Sequence, residues 1–339
     1  MFSERLESYI QLEKALDTKL LVYITSDRQG WETQIGQDAI DHFIKHLDSF
    51  GPVRKISLFL YTRGGDTAAA WNIINLLRIY CDELQVIVPH KAHSAGTLIS
   101  IGANSIIMTK QATLGPIDPS LNTSMNPPIP NHPARATYPV SVEAVKGYLA
   151  FAREELLIKD DAALANILIK LSDSVHPLVL GQVFRTRAQI KMLAEKLLKT
   201  QITDSEKLEE IISFLCSDSG SHDYTINRRE AKEVLGLNII KPSPELYTLI
   251  QTVYNNIAEE LGFGNHLDLR LLAAQNQGVY SIRRCLIESI TGGSHCFLSS
   301  GQIIISSTTN GQISVNDNRQ FEGWKYEQSD AYGKELTSN

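Results

Sequence analysis

The sequence predicts an α/β protein: a largely parallel sheet with surrounding helices, followed by a small β-rich unit at the C-terminal end. Three observations carry this prediction. Apolar, β-branched runs at residues 19–25, 56–61 and 84–88 alternate with stretches of helical periodicity, the order that builds parallel sheets. Glycines punctuate the ends of these runs, at Gly64-Gly65 and Gly96. After Pro242 the pattern changes to one helix and then short alternating runs separated by glycine.

Taken in order, residues 19–25 read as a first strand and residues 33–47 as an amphipathic helix. The run ISLFLYTRGGD, residues 56–66, is an apolar strand closed by two glycines, and residues 67–79 form an alanine- and leucine-rich helix. Residues 84–88 form the next strand, residues 97–104 a short buried helix and residues 105–108 another strand. Residues 120–139, rich in proline and asparagine, form a long loop beside Asp118, and loops of that length are often functional. Residues 141–215 are almost wholly helical. They include a long helix at 176–200 whose Phe184, Ile190, Leu193, Leu197 and Leu198 share one face. A helix at 244–261 precedes short strands at 280–290, 295–298, 303–307 and 313–315. The expected boundaries are a main domain at 1–242, a C-terminal unit at 243–327 and a polar, disordered tail at 328–339.

The chemistry concentrates at residues 86–118. Ser94 stands between small residues where a strand turns into a helix, and its hydroxyl there is either a helix cap or a nucleophile. Amides at a helix N-terminus stabilise negative charge, including that of a tetrahedral oxyanion. The Gly64-Gly65 pair permits positive φ and leaves amides bare for a carbonyl oxygen. It is not a dinucleotide fingerprint, because the third glycine is missing, and no P-loop Lys-Ser/Thr follows.

The motifs YTRGGD, HSAGTLISIGA, LGPIDPSL and SHDYTINRREAKEVLGL, spread over residues 61–237, resemble the serine dehydrogenase proteinase family. That family lies within the Clp/crotonase fold of serine peptidases, which includes Clp protease and signal peptide peptidase. The resemblance implies a Clp/crotonase-like fold and hydrolysis of peptide bonds in proteins or peptides. It implies Ser94 as nucleophile, the Gly65 and Ala95 amides as oxyanion hole, Gly64 as the turn and Asp223 as the acid. Where Clp protease carries its triad histidine, this chain has Asp118. The same fold also serves acyl-CoA-binding enzymes that use no serine, and a member that lost its base would be a scaffold; both alternatives stay open.

A serine hydroxyl holds its proton too tightly at neutral pH to attack unaided, so a base must stand beside it. Three substitutes are available. His222 adjoins Asp223 and carries the imidazole best suited to accept and return a proton, unless it is a solvated loop histidine. Lys146, on the helix at 141–151, falls near the place where signal-peptide-peptidase types carry a dyad lysine; it must be desolvated to act, and is otherwise an exposed helical lysine. Asp118 either orients a histidine, bonds Ser94 directly, or makes a proline-flanked structural turn. The favoured set is His222 with Asp118 or Asp223.

Other constellations read as structural. His42 and His46, four apart, lack the glutamate of a zinc-peptidase motif and are expected on a solvated helix face. His93 precedes Ser94 and points away from it, and Gly292-Gly293 with His295 lies in a β-rich context without a P-loop lysine. No metal or cofactor is expected.

Composition agrees with an ordinary soluble enzyme. In 339 residues, 43% are hydrophobic and the net charge is -6, which supplies a core and no basic excess for nucleic acid or anionic membrane. The charged N-terminal stretch has neither a signal-peptide core nor a membrane span, so the expectation is a cytoplasmic protein without a stable membrane anchor. Cys81, Cys216, Cys285 and Cys296 form no C-x-x-C pair and are expected as reduced, buried thiols. By resemblance the chain forms a homo-oligomer.

Overall fold

A computed structural model describes residues 1–117, 120–121, 123–130, 136–218, 224–265, 269–274, 276–307 and 313–327. It divides into two compact units, Met1–Leu114 with Ile226–Asn339, and Gly115–Thr225.

An eight-stranded sheet forms the centre of the first unit. From one edge its strands are Ile239–Ile240, Ser105–Met108, Cys81–Val88, Val53–Tyr61, Lys19–Thr25, Val279–Ser289, Gly293–Ser307 and Ile313–Glu327. The first five are mutually parallel and the last three continue antiparallel from the edge of Lys19–Thr25. The parallel strands are apolar on both sides because helices cover both faces. Leu20, Val22 and Ile24 face one way and pack with Phe2, Tyr9 and Leu12 of helix Phe2–Leu16 and Ile250, Val253 and Ile257 of helix Pro244–Glu260. Tyr23 alternates to the other face and meets Phe43 of helix Ile40–Phe50 edge-on, ring centroids 5.1 Å apart.

Two expectations change here. The C-terminal runs at 295–298 and 303–307 form one continuous strand, Gly293–Ser307, and the run at 313–315 extends to Glu327. Their polar and glycine interruptions are tolerated because antiparallel pairing on both sides supplies the ladder. The helix Phe2–Leu16, unforeseen from its mixed charge, is anchored by an ion pair that local periodicity does not contain. Arg5, 1% exposed, bonds Glu288, 0% exposed, through both Nε and Nη2 at 3.1 and 2.6 Å, and Tyr9 donates to the same carboxylate at 2.5 Å.

The second unit is helical: Val142–Ala150, Asp161–Ser174, Pro177–Leu198 and Ser205–Ser213, with π-helical turns at Phe151–Glu155 and Phe214–Asp218. Of the predicted stripe on the long helix, Ile190, Leu193, Leu197 and Leu198 are buried while Phe184 is 74% exposed. In the proline-rich loop, Ser120–Leu121 pairs with Val140–Ser141, and Pro128 bridges Thr137. Among the described residues no single helix is long and apolar enough to cross a membrane; one pair, Asp161–Ser174 with Pro177–Leu198, passes that test jointly but is bent by 105°.

Candidate active site

Strand Val53–Tyr61 delivers Thr62-Arg63-Gly64-Gly65 to the carboxyl edge of the sheet, and Asp66 then caps helix Thr67–Tyr80 by accepting from the Ala68 amide at 2.7 Å. Both glycines are required. Gly64 has φ +121° and Gly65 φ +147°, conformations that a side chain strains. The segment at Ile35 runs alongside: its N–H donates to the Gly64 carbonyl and its own carbonyl accepts from Asp66, both at 2.9 Å. A Cβ on Gly65 would lie 2.3 Å from the Ile35 oxygen, so only glycine admits that pairing.

Strand Cys81–Val88 and the short strand Lys91–Ala92 lead to Ser94 and the buried helix Ala95–Ile101. Ser94 has φ +52° and ψ −113°, a conformation that strains a non-glycine residue. It occupies the N-cap position, yet its side chain makes no capping bond. The half-buried Ser94 side chain therefore does not act as the helix cap. Strain of this kind costs about 1–3 kcal/mol and accumulates at functional sites.

The Gly64-Gly65 turn sits directly against this serine. A Cβ on Gly64 would stand 2.8 Å from the Ser94 Cβ and 3.2 Å from its Oγ. In the planar trans peptide the N–H points opposite to the carbonyl. The Gly64 carbonyl is held by Ile35, so the Gly65 N–H is turned the other way. The Ser94 carbonyl accepts from Leu98 at 3.1 Å, along the helix, and the Ala95 N–H is turned outward from the first helical turn. Among the described residues neither amide has a protein acceptor.

A three-stranded sheet, Lys91–Ala92, Thr113–Leu114 and Ile226–Asn227, stands immediately before Ser94. Ala92 pairs Leu114, and Leu114 pairs Ile226. Asp118, His222 and Asp223 lie outside the described residues. Asp118 follows Leu114 by four positions and Asp223 precedes Ile226 by three. Lys146 lies in the helical unit, with Glu143 3.7 Å away and 39% of its side chain exposed, an environment unlike the desolvation that a lysine base needs.

The remaining histidines resolve as follows. His93 turns to Thr113, Nε2 to Oγ1 2.9 Å, a brace of the small sheet. His90 stacks on Tyr254, ring centroids 4.0 Å apart. The expectation of a solvated face for His42 and His46 is corrected: His46 is fully buried, with Nδ1 2.7 Å from the Ser289 hydroxyl and Nε2 3.0 Å from His295 Nδ1. Helix Ile40–Phe50 is covered there by the hairpin turn at Gly292-Gly293, a long-range contact that helical periodicity does not report. Among the described residues no group of three or more His, Cys, Asp or Glu is arranged to hold a metal. The four cysteines are free thiols; Cys216, Cys285 and Cys296 are buried, whereas Cys81 is only half-buried.

Near the entry to the serine turn, Lys91 Nζ and the Tyr61 hydroxyl donate to Asp27 Oδ2 at 2.5 and 2.7 Å. Burial works against the Asp27 carboxylate, but the ammonium and the phenol outweigh it and hold its pKa below the usual carboxylate range. Ile35, Thr62 and this Asp27 cluster were not singled out from the sequence. Their partners lie in other elements, and only a threonine two residues before a Gly-Gly pair offered a local cue.

A mostly parallel sheet with a glycine turn and a strained serine turn at one edge makes this an α/β protein with its candidate site at the strand ends. Residues 41–137 match the family described as ClpP-like SDH-type serine proteinase, so the resemblance carried by the sequence motifs holds over that segment. An uncharacterized protein of Methanocaldococcus jannaschii is 34% identical over 200 residues, 58% of this chain and 58% of its own length. A second from that organism is 28% identical over 197 residues, 58% of this chain and 56% of its own. The matched region thus spans a little over half the length of these relatives. Similar solved structures include a 1510-N membrane-bound stomatin-specific protease mutant in complex with a substrate peptide, 16% identical, covering 74% of this chain and 88% of that chain with a TM-score of 0.37. ClpP1 from Listeria monocytogenes is 16% identical, covering 70% of this chain and 99% of that chain with a TM-score of 0.36.

Proposed function

We propose that this chain is a serine endopeptidase that cleaves peptide bonds in proteins or peptides through an acyl-enzyme on Ser94. What supports this reading above all is the uncapped Ser94 hydroxyl on a positive-φ turn beside two amides, those of Gly65 and Ala95, that have no acceptor among the described residues. Ser94 Oγ attacks the scissile carbonyl and its proton passes to the base. The carbonyl oxygen, now an anion, sits between the Gly65 and Ala95 N–H groups while Gly64 keeps the turn. The base then returns the proton to the leaving amine, and water repeats the sequence on the ester. Each oxyanion donor is worth about 10²–10³ in rate.

His222 serves as base in this proposal, oriented by Asp118 or Asp223. Support for this choice is sequence proximity: Asp118 follows Leu114 by four positions and Asp223 precedes Ile226 by three, and Leu114 pairs both Ala92 and Ile226. Lys146, beside Glu143, is the alternative. A cytoplasmic homo-oligomer completes the proposal, with an assembled size to be read by sedimentation.

A fluorophosphonate probe tests the nucleophile: the wild type is labelled and Ser94→Ala is not. Equal labelling of both overturns the assignment, and tight binding of a CoA thioester without labelling or proteolysis points instead to an acyl-CoA-binding protein. Among the base variants, His222→Ala abolishes labelling while Lys146→Ala leaves it intact; the opposite pattern assigns Lys146. Asp118→Asn and Asp223→Asn then show which carboxylate orients the base, and a wild type that neither labels nor cleaves, with a function unaltered in both Ser94→Ala and His222→Ala, makes the chain a scaffold.

A further inference from the structure

We infer that Thr62 is the positioning residue that sets the distance and direction of the two candidate oxyanion donors, an inference resting on the reading of Ser94 as nucleophile. Thr62 is fully buried at the point where the two turns meet. Its hydroxyl accepts from the Gly64 amide at 3.0 Å and from the Thr25 hydroxyl at 2.9 Å, and donates to the Gly64 carbonyl at 3.3 Å. Both polar groups of Gly64 are therefore tied. The Gly64 carbonyl, shared with the Ile35 amide at 2.9 Å, is held so that the Gly65 N–H of the same rigid peptide unit points away from it.

The methyl group of Thr62 does the second half. A Cβ on Gly96 would lie 2.4 Å from Thr62 Cγ2, so the first turn of helix Ala95–Ile101 rests on that methyl, at a separation only glycine permits. The Thr62 backbone completes the brace. Its N–H donates to the Lys91 carbonyl and its carbonyl accepts from the His93 amide, both at 3.1 Å. One side chain thus fixes the Gly65 donor through its hydroxyl and the Ala95 donor through its methyl. An oxyanion hole works only when its donors are preorganised, and a misplacement of about 1 Å costs on the order of 10²-fold in rate.

The two functions separate by substitution. Thr62→Val keeps the shape and the methyl and removes the hydroxyl; Thr62→Ser keeps the hydroxyl and removes the methyl. In the full chain, Thr62→Val is expected to label with fluorophosphonate at least about tenfold more slowly and to lower kcat with little change in KM. Thr62→Ser is expected to retain the Gly65 amide resonance and shift that of Ala95, and Thr62→Val to shift that of Gly65. Wild-type labelling and unmoved amide resonances in Thr62→Val overturn the inference. If the wild type itself is not labelled, the peptidase reading falls, and the Gly65 and Ala95 resonances alone decide the role of Thr62.

Discussion

Gly64 lies so close to Ser94 that a Cβ added to it would stand 2.8 Å from the serine Cβ, closer than side-chain carbons approach. The contact joins two turns about thirty residues apart and defines the candidate site as a backbone feature before any side chain is considered. It also makes the site sensitive to a single methyl group.

Gly64→Ala should therefore do more than strain a turn. Gly30 provides the control, because it too has positive φ, +79°, but nothing lies within 4 Å of its missing Cβ. Gly30→Ala is expected to cost about 1 kcal/mol with labelling of Ser94 unchanged. Gly64→Ala is expected to cost more, about 2 kcal/mol or above, and to abolish labelling. Urea unfolding and probe labelling on both variants check this; a Gly64→Ala protein that labels normally would show that the contact does not matter.

The strain at Ser94 predicts an order of stabilities. Glycine tolerates φ +52° and alanine does not, so Ser94→Gly should exceed Ser94→Ala by about 1 kcal/mol, although glycine ordinarily destabilises relative to alanine. Thermal unfolding of the two inactive variants measures it. The reverse order would mean that the serine turn is unstrained.

The histidine cluster predicts acid lability. Burial and the neighbouring His295 lower the His46 pKa to about 3, and burial with His42 and Lys45 lowers that of His295 to about 4, from an ordinary 6.5. Asp38 and Asp41 face His42 and favour its charged form, but burial and Lys45 outweigh them, so it too is lowered. Below pH 6.5 the unfolded chain takes up protons that the folded chain refuses until pH reaches about 4 and about 3. Stability falls through that window as pH drops, by up to about 1.4 kcal/mol per pH unit for each buried ring. Urea midpoints across that range, with His295→Phe flattening the slope, check the assignment.

The Arg5–Glu288 pair predicts a large single-residue loss. Arg5→Met leaves the buried Glu288 without its cation and should cost about 3–5 kcal/mol, Glu288→Met leaves Arg5 with Glu260 and should cost less, and the double substitution should cost less than the two losses added. Chemical denaturation of the three variants decides it, and additive losses would mean that the two charges are not energetically coupled.

Much of the fold was legible because its signals are local. Strands Lys19–Thr25 and Ser105–Met108 fall where residues 19–25 and 105–108 were expected, each a short apolar run that packing on both faces makes obligatory. Helix Thr67–Tyr80 falls where the alanine- and leucine-rich run at residues 67–79 was expected to be helical. Helix Phe2–Leu16 was not legible, since its anchor, Glu288, lies 283 residues from Arg5. His46 misled for the same reason: helical spacing places it on a face, and only the distant hairpin turn covers that face.

By itself, then, the sequence determined that Gly64-Gly65 and Ser94 occupy turns at strand ends, because turn chemistry is written in a few adjacent residues. Tertiary structure alone decided that Ser94 is strained and uncapped, that the Gly65 and Ala95 amides have no acceptor among the described residues, and that Thr62 and Ile35 hold the Gly64 peptide. Those relations are contacts between segments far apart in the chain, and they come into being only when the sheet brings its strand ends to one edge.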